Sequence, residues 1–251
     1  MADKKTYALL CPTRGRPTRA INMALSAHMT ADDSSRIEVL YYVDDDDPEK
    51  TAYQGSLEKL LLAADGIGRV DFLIGERISV SWMWTLLARQ SKADVFLMQN
   101  DDVMFRSNGW DRRLDEETSK FPDDIYCMWF DDGFQGKNPC AFPIVSRRWV
   151  ETLGYFSPGI FEFLFNDTWI VDIGRRVGRL HYIDDIYVEH LHFLAGKAEF
   201  DQTYKDNYGH IDPKVHYHQG KAGRDYEIYQ RSAHYREADA QLLRAIMTER
   251  E

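Results

Sequence analysis

Two carboxylates and an amide follow an apolar run directly in the segment DVFLMQNDDVMF, residues 94–105, where Asn100, Asp101 and Asp102 come after FLMQ. Charge at the end of a buried segment is costly unless water or a counter-ion compensates it. A solvated turn would do so, but apolar residues on both sides weaken that interpretation. Mg²⁺ and Mn²⁺ prefer oxygen ligands and are commonly held by one or two carboxylates and substrate phosphates. The segment is therefore a candidate divalent metal site.

A histidine pair lies in VEHLHFLAGK, where His190 and His192 are two residues apart. On a strand, which this segment is predicted to be, the two side chains point to the same face. Such a pair either ligates a metal or is structural. A zinc site would need further ligands, which His210, His216 and His218 could supply, although their spacing matches no closed structural zinc site.

A third candidate is the acid in FEFLFNDTWIVDIGRRVG, where Asn166 and Asp167 stand just before a helical pattern. An aspartate at this position is a good helix N-cap. Alternatively, it is a general base held at a helix N-terminus, within reach of an acceptor hydroxyl. The sequence contains no GxxxxGK phosphate loop, no GxGxxG motif after the first strand and no GxSxG elbow.

Short apolar runs of strand type alternate with helical patterns along the first two thirds of the chain. The predicted strands are TYALLCP, RIEVLYYV, RVDFLI and DVFLMQ, and the helices lie near residues 19–28 and in YQGSLEKLLLAA and VSWMWTLLARQ. This βαβα order predicts an α/β fold with an open, mostly parallel sheet and helices on both faces. A barrel of eight βα units is the alternative on length. After Asp102, however, DIYCMWFDD and CAFPIVS look like paired strands without a full helix between them, which favours an open sheet with a mixed C-terminal half.

Polar segments follow each of the four predicted strands: PTRGRP, DDDDP, GER and NDD, in chain order. Loops are polar in general, so one such segment would mean little. In open parallel sheets, ligands bind at the carboxyl ends of the strands. Four polar ends in succession therefore predict a binding site along this edge.

Composition limits the partners and the compartment. The chain has 251 residues and a formal net charge of −10, which repels phosphates, so a nucleic-acid partner would need a local basic patch. No apolar run is long enough to span a bilayer and the N-terminus is not a secretory signal, so we expect a cytoplasmic protein, or one of the host cytoplasm for a viral chain. Three well-separated cysteines, Cys11, Cys127 and Cys140, are typical of buried thiols in a reduced compartment.

Taken in order, these segments resemble the GT-A fold nucleotide-diphosphosugar glycosyltransferases, in particular the family-2-like enzymes. YALLCPTRGRP is similar to the first strand and turn of that family, VLYYVDDDDP to its uracil-contacting acidic loop, and the segment ending in NDD to its DxD motif. LGYFSPGIFEFLFNDTWIVDIGRRVG resembles the acceptor-side segment with the catalytic acid, and VEHLHF the late histidine of the metal site. The resemblance implies a Rossmann-like transferase domain over residues 1–200 and a helical extension over residues 201–251, packed on the same domain.

The resemblance also implies roles for individual residues. Those expected to bind the nucleotide sugar are Pro12, Thr13, Arg14, Arg16, Asp44, Asp45, Arg77, Asn100 and Asp101. Asp102 is the expected ligand of Mn²⁺ or Mg²⁺, with His192, or else His190, as the second ligand, and Asp167 is the expected base. Asn100 occupies the first position of DxD, and an amide ligates a cation more weakly than a carboxylate does.

The expected activity is transfer of a hexosyl or pentosyl group from a nucleotide-diphosphosugar, with UDP favoured, to an acceptor hydroxyl with inversion. The acceptor is a saccharide or, as second choice, a hydroxymethylpyrimidine in viral DNA. The acceptor is expected to contact the tail TYKDNYGHIDPKVHYHQGKAGR and the aromatic residues Trp82, Trp84, Trp129 and Phe134. Two alternatives are a zinc metallohydrolase that uses the histidine and aspartate clusters and a non-catalytic nucleotide-binding module.

Overall fold

The computed structural model describes residues 4–63, 66–137, 140–208 and 220–247, and for 57–63 and 208 it describes the backbone alone. None of the helices in these ranges has the length and apolar character needed to cross a membrane.

One mixed sheet organises the described part of the chain, with strand order β3-β2-β1-β4-β7-β6-β8-β5. The strands are β1 (Tyr7–Thr13), β2 (Ile37–Asp44), β3 (Arg69–Gly75), β4 (Val95–Met98), β5 (Val103–Phe105), β6 (Cys127–Asp131), β7 (Ile144–Ser146) and β8 (Leu180–His190). Strands β3, β2, β1 and β4 run parallel, β7 is antiparallel to both β4 and β6, and β5 is antiparallel to β8. The predicted open, mostly parallel sheet with a mixed second half is confirmed.

Helices cover both faces of the sheet. They are α1 (Pro17–Thr30), α2 (Lys50–Ala63), α3 (Val80–Gln90), α4 (Trp110–Thr118), α5 (Arg147–Leu153), α6 (Asn166–Arg176), α7 (Gln202–Tyr208), α8 (Gly220–Arg231) and α9 (Ala233–Arg244). Side chains alternate across a strand, so Leu9 of β1 packs in one core layer with Met23 of α1, while Leu10 packs in the other with Trp84 of α3. The two apolar layers fix the four N-terminal strands between helices.

The four polar strand ends meet at one edge, as predicted. Parallel registers pair Thr13 with Val43 and Asp44 with Gly75, and β4 ends beside β1, where Met98 pairs with Leu10. The carboxyl ends of β1, β2, β3 and β4 are therefore neighbours.

Two expectations about the second half had different outcomes. The segments DIYCMWFDD and CAFPIVS do form paired strands, β6 and β7. In contrast, the prediction that His190 and His192 share a strand is wrong. Strand β8 ends at His190, and His192 instead precedes a 3₁₀ turn at Phe193–Ala195, where its Nδ1 accepts the backbone N–H of Leu194 at 3.2 Å.

The C-terminal helices pack against the rest of the fold. Arg236 of α9 is buried, donates to Asp172 of α6 at 2.6 Å and lies over the ring of Tyr229. Asp225 of α8 is fully buried and accepts three backbone N–H groups of the loop before α6, those of Glu162, Phe163 and Leu164. Helix α8 thus supports the loop that leads into Asp167.

Candidate functional site

The turn after β1 is held by one group from the neighbouring β2–α2 connection and one from α2. Gly15 has φ +67°, in the left-handed region that favours glycine. Its N–H donates to Oδ2 of Asp47 at 2.8 Å, and the next N–H, of Arg16, donates to the hydroxyl of Tyr53 at 3.0 Å. These bonds fix the positions of Arg14 and Arg16 at the edge of the sheet.

Arg14 and Arg77 gather around the acidic loop after β2. Arg14 pairs with Oδ2 of Asp44 at 2.9 Å and also with Asp46, while the exposed Arg77 lies 3.8 Å from Asp46. Asp44 is buried, and its Oδ1 has no hydrogen-bond partner in the described part of the chain. Burial raises the pKa of Asp44, although the hydrogen bond from Arg14 opposes the shift. The neighbouring Asp45 is exposed.

Asp101 is bound from two sides by the β1 turn. Its Oδ2 accepts the hydroxyl of Thr13 at 2.7 Å and its Oδ1 pairs with Arg16 at 3.0 Å, while Pro12 is half-buried just before them. Burial raises the pKa of Asp101 to about 6, against the opposing charge of Arg16. The other branch of the Arg16 guanidinium makes a two-pronged pair with Asp201, at 2.7 and 2.8 Å.

Asp102 is buried and differs from Asp101 in its partners. Its Oδ2 accepts the hydroxyl of Tyr204 at 2.7 Å. Its Oδ1 lies 3.6 Å from Nε2 of His190, which is ion-pair distance but too long for a hydrogen bond. Burial alone would raise the pKa of Asp102, but His190 and Tyr204 outweigh it and the pKa falls to about 2.

His190 lies between two carboxylates. Its Nδ1 is 3.6 Å from Oδ2 of Asp132, and its Nε2 faces Oδ1 of Asp102. None of these four atoms has a hydrogen-bond partner within the residues that the structure describes. Desolvation would lower the pKa of His190, but Asp102 and Asp132 raise it to about 9. Asp132 was not among the site residues predicted from the sequence, although it follows β6 in the same way that NDD follows β4.

His192 lies close to this group. Its ring centroid is 5.0 Å from that of His190, and it stacks on Phe134 at 5.3 Å. The ion pair with Asp102 is therefore made by His190, the alternative ligand of the sequence analysis.

Asp167 is the second residue of α6 and not its N-cap, so the N-cap interpretation is wrong. Phe165 occupies the N-cap position with φ +67°, and Oδ1 of Asp167 accepts the N–H of Thr168 at 2.7 Å. Burial of the carboxylate raises the pKa of Asp167 to about 6. The charge of His190 acts on the pKa of Asp167 in the opposite direction.

The facing atoms of Asp102 and His190 are of types that ligate a divalent cation, but the pair supplies two ligands and leaves the others to the substrate. Buried polar atoms are nearly always hydrogen-bonded, so the open Oδ1 and Nε2 atoms fit a partner that both can ligate. No group of three or more His, Cys, Asp or Glu side chains that could hold a metal occurs within residues 4–56, 66–137, 140–207 and 220–247. A pair of protein ligands suits a cation that also takes substrate oxygens. His210, His216 and His218 lie outside the described residues.

The four aromatic residues divide into two kinds. Trp84 and Trp129 are buried, and their indole N–H groups donate to the carbonyl oxygens of Leu10 at 3.1 Å and of Gly136 at 3.2 Å. Trp82 is 42% exposed and Phe134 is 37% exposed. Only the second pair has a ring surface open to a ligand.

Two site residues come from the C-terminal segment, and one of them lies in the tail for which acceptor contacts are predicted. Tyr204 bonds Asp102, and Asp201 bonds Arg16. Tyr204 belongs to the quoted tail, but its type and position carried no signal for a partner about a hundred residues earlier. Asn100 is half-buried at the same turn as Asp101.

Comparisons with known proteins identify the fold. Neither the models of protein families nor the curated proteins contain a match to the sequence. Among solved structures, the chain is similar to the mannosyltransferase PcManGT from Pyrobaculum calidifontis in complex with GDP-Man and Mn²⁺, with TM-score 0.60 and 10% identity over 97% of this chain and 74% of that chain.

The chain is also similar to S. aureus TarS. The TarS 1-349 structure has TM-score 0.54 and 11% identity over 96% of this chain and 90% of that chain. The complex of TarS 1-349 with UDP-GlcNAc has TM-score 0.52 and 11% identity over 73% of this chain and 58% of that chain. Together with the sheet order and the polar strand ends, these similarities show that the chain has the GT-A-like, Rossmann-like fold of nucleotide-sugar glycosyltransferases.

Proposed function

We propose that this protein is a metal-dependent glycosyltransferase. It moves a sugar from a nucleotide-diphosphosugar, with UDP as the favoured nucleotide, to an acceptor hydroxyl with inversion at the anomeric carbon. Asp102 and His190 hold Mn²⁺ or Mg²⁺, and Asp167 is the general base. His190 replaces His192 as the assigned ligand because it makes the ion pair with Asp102.

One observation carries the proposal. Two buried ligand atoms, Oδ1 of Asp102 and Nε2 of His190, face each other at 3.6 Å without hydrogen bonds, at the edge where ligands bind in open parallel sheets. Such a pair leaves coordination positions for diphosphate oxygens. The bound cation would neutralise the diphosphate as it leaves.

The nucleotide pocket follows from the strand ends. Oδ1 of Asp44, which is buried and has no hydrogen-bond partner among the described residues, is positioned to accept an N–H of the base. Arg77 is exposed and close to the acidic loop, which suits it to the diphosphate. Asn100 can bond a ribose hydroxyl through its amide. Two of the similar solved structures, in complex with GDP-Man and with UDP-GlcNAc, support a nucleotide-sugar donor.

Asp167 supplies the acid–base step. The acceptor oxygen forms a bond to the anomeric carbon as the bond from that carbon to the diphosphate oxygen breaks. The acceptor proton passes to the carboxylate of Asp167, whose pKa of about 6 leaves it ionised at neutral pH yet more basic than an ordinary aspartate. The electron pair of the broken bond stays on the nucleoside diphosphate.

We assign a saccharide as the acceptor. Four buried acids, Asp44, Asp101, Asp102 and Asp132, lie along or next to the site edge, and the whole chain has a net charge of −10. This charge opposes a polyphosphate acceptor such as DNA. The exposed rings of Trp82 and Phe134 offer flat apolar surfaces of the kind that sugar rings contact.

A nucleotide-sugar screen tests the proposal. The protein is mixed with UDP-, GDP-, TDP- and ADP-sugars, with Mn²⁺ or with EDTA, and thermal unfolding and the release of free nucleotide are measured. We expect at least one donor to stabilise the protein only with metal and to be hydrolysed slowly. Asp102→Ala should lose this stabilisation, and the exposed control Asp184→Ala should keep it.

Each alternative gives a different result in the same screen. Nucleotide binding without any donor hydrolysis, even at long incubation, would indicate a binding module. Stoichiometric zinc in the purified protein, with hydrolysis that needs no sugar donor, would indicate a metallohydrolase.

A further inference from the structure

We infer that Asp132 is a positioning residue for the metal site, because its carboxylate orients the His190 ring so that Nε2 faces Asp102. The inference rests on the proposed function, since it concerns the histidine that we assign as a metal ligand. It adds a residue to the site that no part of the sequence resemblance includes.

The carboxylate of Asp132 is rigidly held. Asp132 follows β6 and is buried, and its Oδ1 accepts three backbone N–H groups of the loop that it begins, those of Phe134 at 3.1 Å, Gln135 at 2.7 Å and Gly136 at 2.8 Å. Three donors on one oxygen fix both the position and the plane of the carboxyl group. Its second oxygen, Oδ2, is left to face the end of β8.

Oδ2 of Asp132 faces Nδ1 of His190 at 3.6 Å, and neither atom has a hydrogen-bond partner in the described part of the chain. The backbones of the two residues are also joined, because the N–H of His190 donates to the carbonyl oxygen of Asp132 at 2.9 Å. The histidine therefore has a fixed main chain and a fixed carboxylate at ion-pair distance from one ring nitrogen. Its other ring nitrogen is directed at Asp102.

The chemistry of an imidazole ligand explains why this arrangement matters. An imidazole that binds a cation through Nε2 carries its proton on Nδ1, and a carboxylate opposite Nδ1 accepts that proton in a hydrogen bond. Asp132 favours this tautomer and makes the ring more basic as a ligand. Metal-ligating histidines generally have such an outer partner.

A purely structural role makes a different prediction. Anchoring the loop 133–136 needs only an oxygen that accepts the three N–H groups, and an asparagine supplies one. In Asp132→Asn the amide NH₂ takes the place of Oδ2 and faces Nδ1 of His190. To accept from it, the ring must place its proton on Nε2, which removes the lone pair that the cation needs.

The test is Mn²⁺ affinity, measured from the electron paramagnetic resonance signal of free Mn²⁺ in the presence of UDP. We compare wild type, His190→Ala, Asp132→Asn and the control Asp131→Asn, with circular dichroism to verify the fold of each. Asp131 is the adjacent acid, and it accepts the N–H of Gly133 at 3.0 Å, which an asparagine can also do. We expect Asp132→Asn to bind Mn²⁺ about 10- to 100-fold more weakly and Asp131→Asn to match wild type.

Steady-state kinetics give a second readout. In Asp132→Asn the Mn²⁺ concentration for half-maximal donor hydrolysis should rise by the same factor, with the rate at saturating Mn²⁺ largely retained. If His190→Ala loses Mn²⁺ binding and Asp132→Asn keeps wild-type affinity, the inference is wrong and the proposed function stands. If His190→Ala itself binds Mn²⁺ as wild type does, the metal assignment fails, and the inference fails with it.

Discussion

The hydroxyl of Tyr204 donates a hydrogen bond to Oδ2 of Asp102 at 2.7 Å and so joins helix α7 to the acidic turn after β4. The Arg16 guanidinium lies 4.6 Å from the centroid of the same ring and pairs with both Asp101 and Asp201. The C-terminal segment therefore completes the site, because it supplies partners to both acids of the turn. Two consequences can be measured without knowledge of the substrate.

Tyr204→Phe should destabilise the metal-free protein. The variant keeps the ring over Arg16 but leaves Oδ2 of the buried Asp102 without its donor, which costs about 1–3 kcal/mol in the free energy of unfolding. Urea denaturation in EDTA measures the change. The exposed Tyr235 provides the control, since Tyr235→Phe should have no measurable effect. Equal stability of wild type and Tyr204→Phe would mean that the hydroxyl contributes nothing to the folded state.

Arg16→Met should destabilise the protein by about 3–5 kcal/mol, because it leaves Asp101 buried without its cation. The side chain of Arg16 is only 9% exposed, and the side chain of Asp101 only 5%. The matched control is Arg106→Met, which breaks an ion pair with Glu189 in which the arginine is 47% exposed. Exposed pairs contribute about 1 kcal/mol or less. Similar losses for both variants in urea denaturation would contradict the assigned role of Arg16.

The parts of this fold that are encoded locally could be predicted from sequence. The apolar runs that form β1 to β4 end at polar segments, so the strands, their order along the chain and the shared binding edge followed from pattern alone. Helix α3 has the predicted bounds, Val80–Gln90, since Ser79 caps it by accepting the N–H of Trp82 at 3.4 Å.

Contacts between distant segments could not be predicted in the same way. Strand β8 ends at His190 because its pairing partners end there: β5 pairs with it up to His190, and β6 reaches Tyr187. No local sequence pattern predicts the residue at which this strand ends. Asp132 is a different case, since the run DDG after β6 is a polar strand end like the other four, and the same rule applied once more would have included it.

Trp82→Ala should weaken acceptor use and leave donor use unchanged. One face of the indole lies against Gly159, where an added Cβ would stand 2.6 Å from the ring, and 42% of the residue is exposed. Ser157 connects this corner to the proposed base, Asp167. Its Oγ is 2.8 Å from Oγ of Ser81 and donates to Asn166, the residue before Asp167, at 2.7 Å.

We expect the acceptor KM of Trp82→Ala to rise about tenfold, because one aromatic contact contributes about 1.4 kcal/mol to acceptor binding. The rate of donor hydrolysis in the absence of acceptor is the internal reference. Tyr235→Ala, on α9, serves as a control for loss of an exposed aromatic ring. An unchanged KM for every saccharide, together with saturable binding of hydroxymethylated duplex DNA in a gel shift, would contradict a saccharide acceptor.

Asp167→Asn should abolish transfer and raise stability. Removal of a general base lowers the rate by about 10²- to 10⁴-fold, while nucleotide binding, measured by thermal shift, should persist. Because the pKa of Asp167 in the folded protein, about 6, lies above the ordinary value, the charged carboxylate disfavours folding at neutral pH. The neutral amide removes that cost and can still accept the N–H of Thr168. A variant with full turnover, or one that is less stable at neutral pH, would contradict this role.

The pH dependence of the rate separates Asp167 from the other acids of the site. With a pKa of about 6, Asp167 is protonated at lower pH, so kcat should fall about tenfold for each pH unit below that value and level off above it. Asp101 also has a raised pKa of about 6, but it contacts Arg16, which is expected to bind the nucleotide. Its protonation should therefore change the Kd of the nucleotide.

Measuring kcat at saturating substrates and nucleotide Kd over the same pH range distinguishes the two acids, because a fall in kcat at constant Kd identifies the base. A kcat that stays level down to about pH 5, one unit below the raised pKa, would show that no carboxylate with that pKa takes the proton.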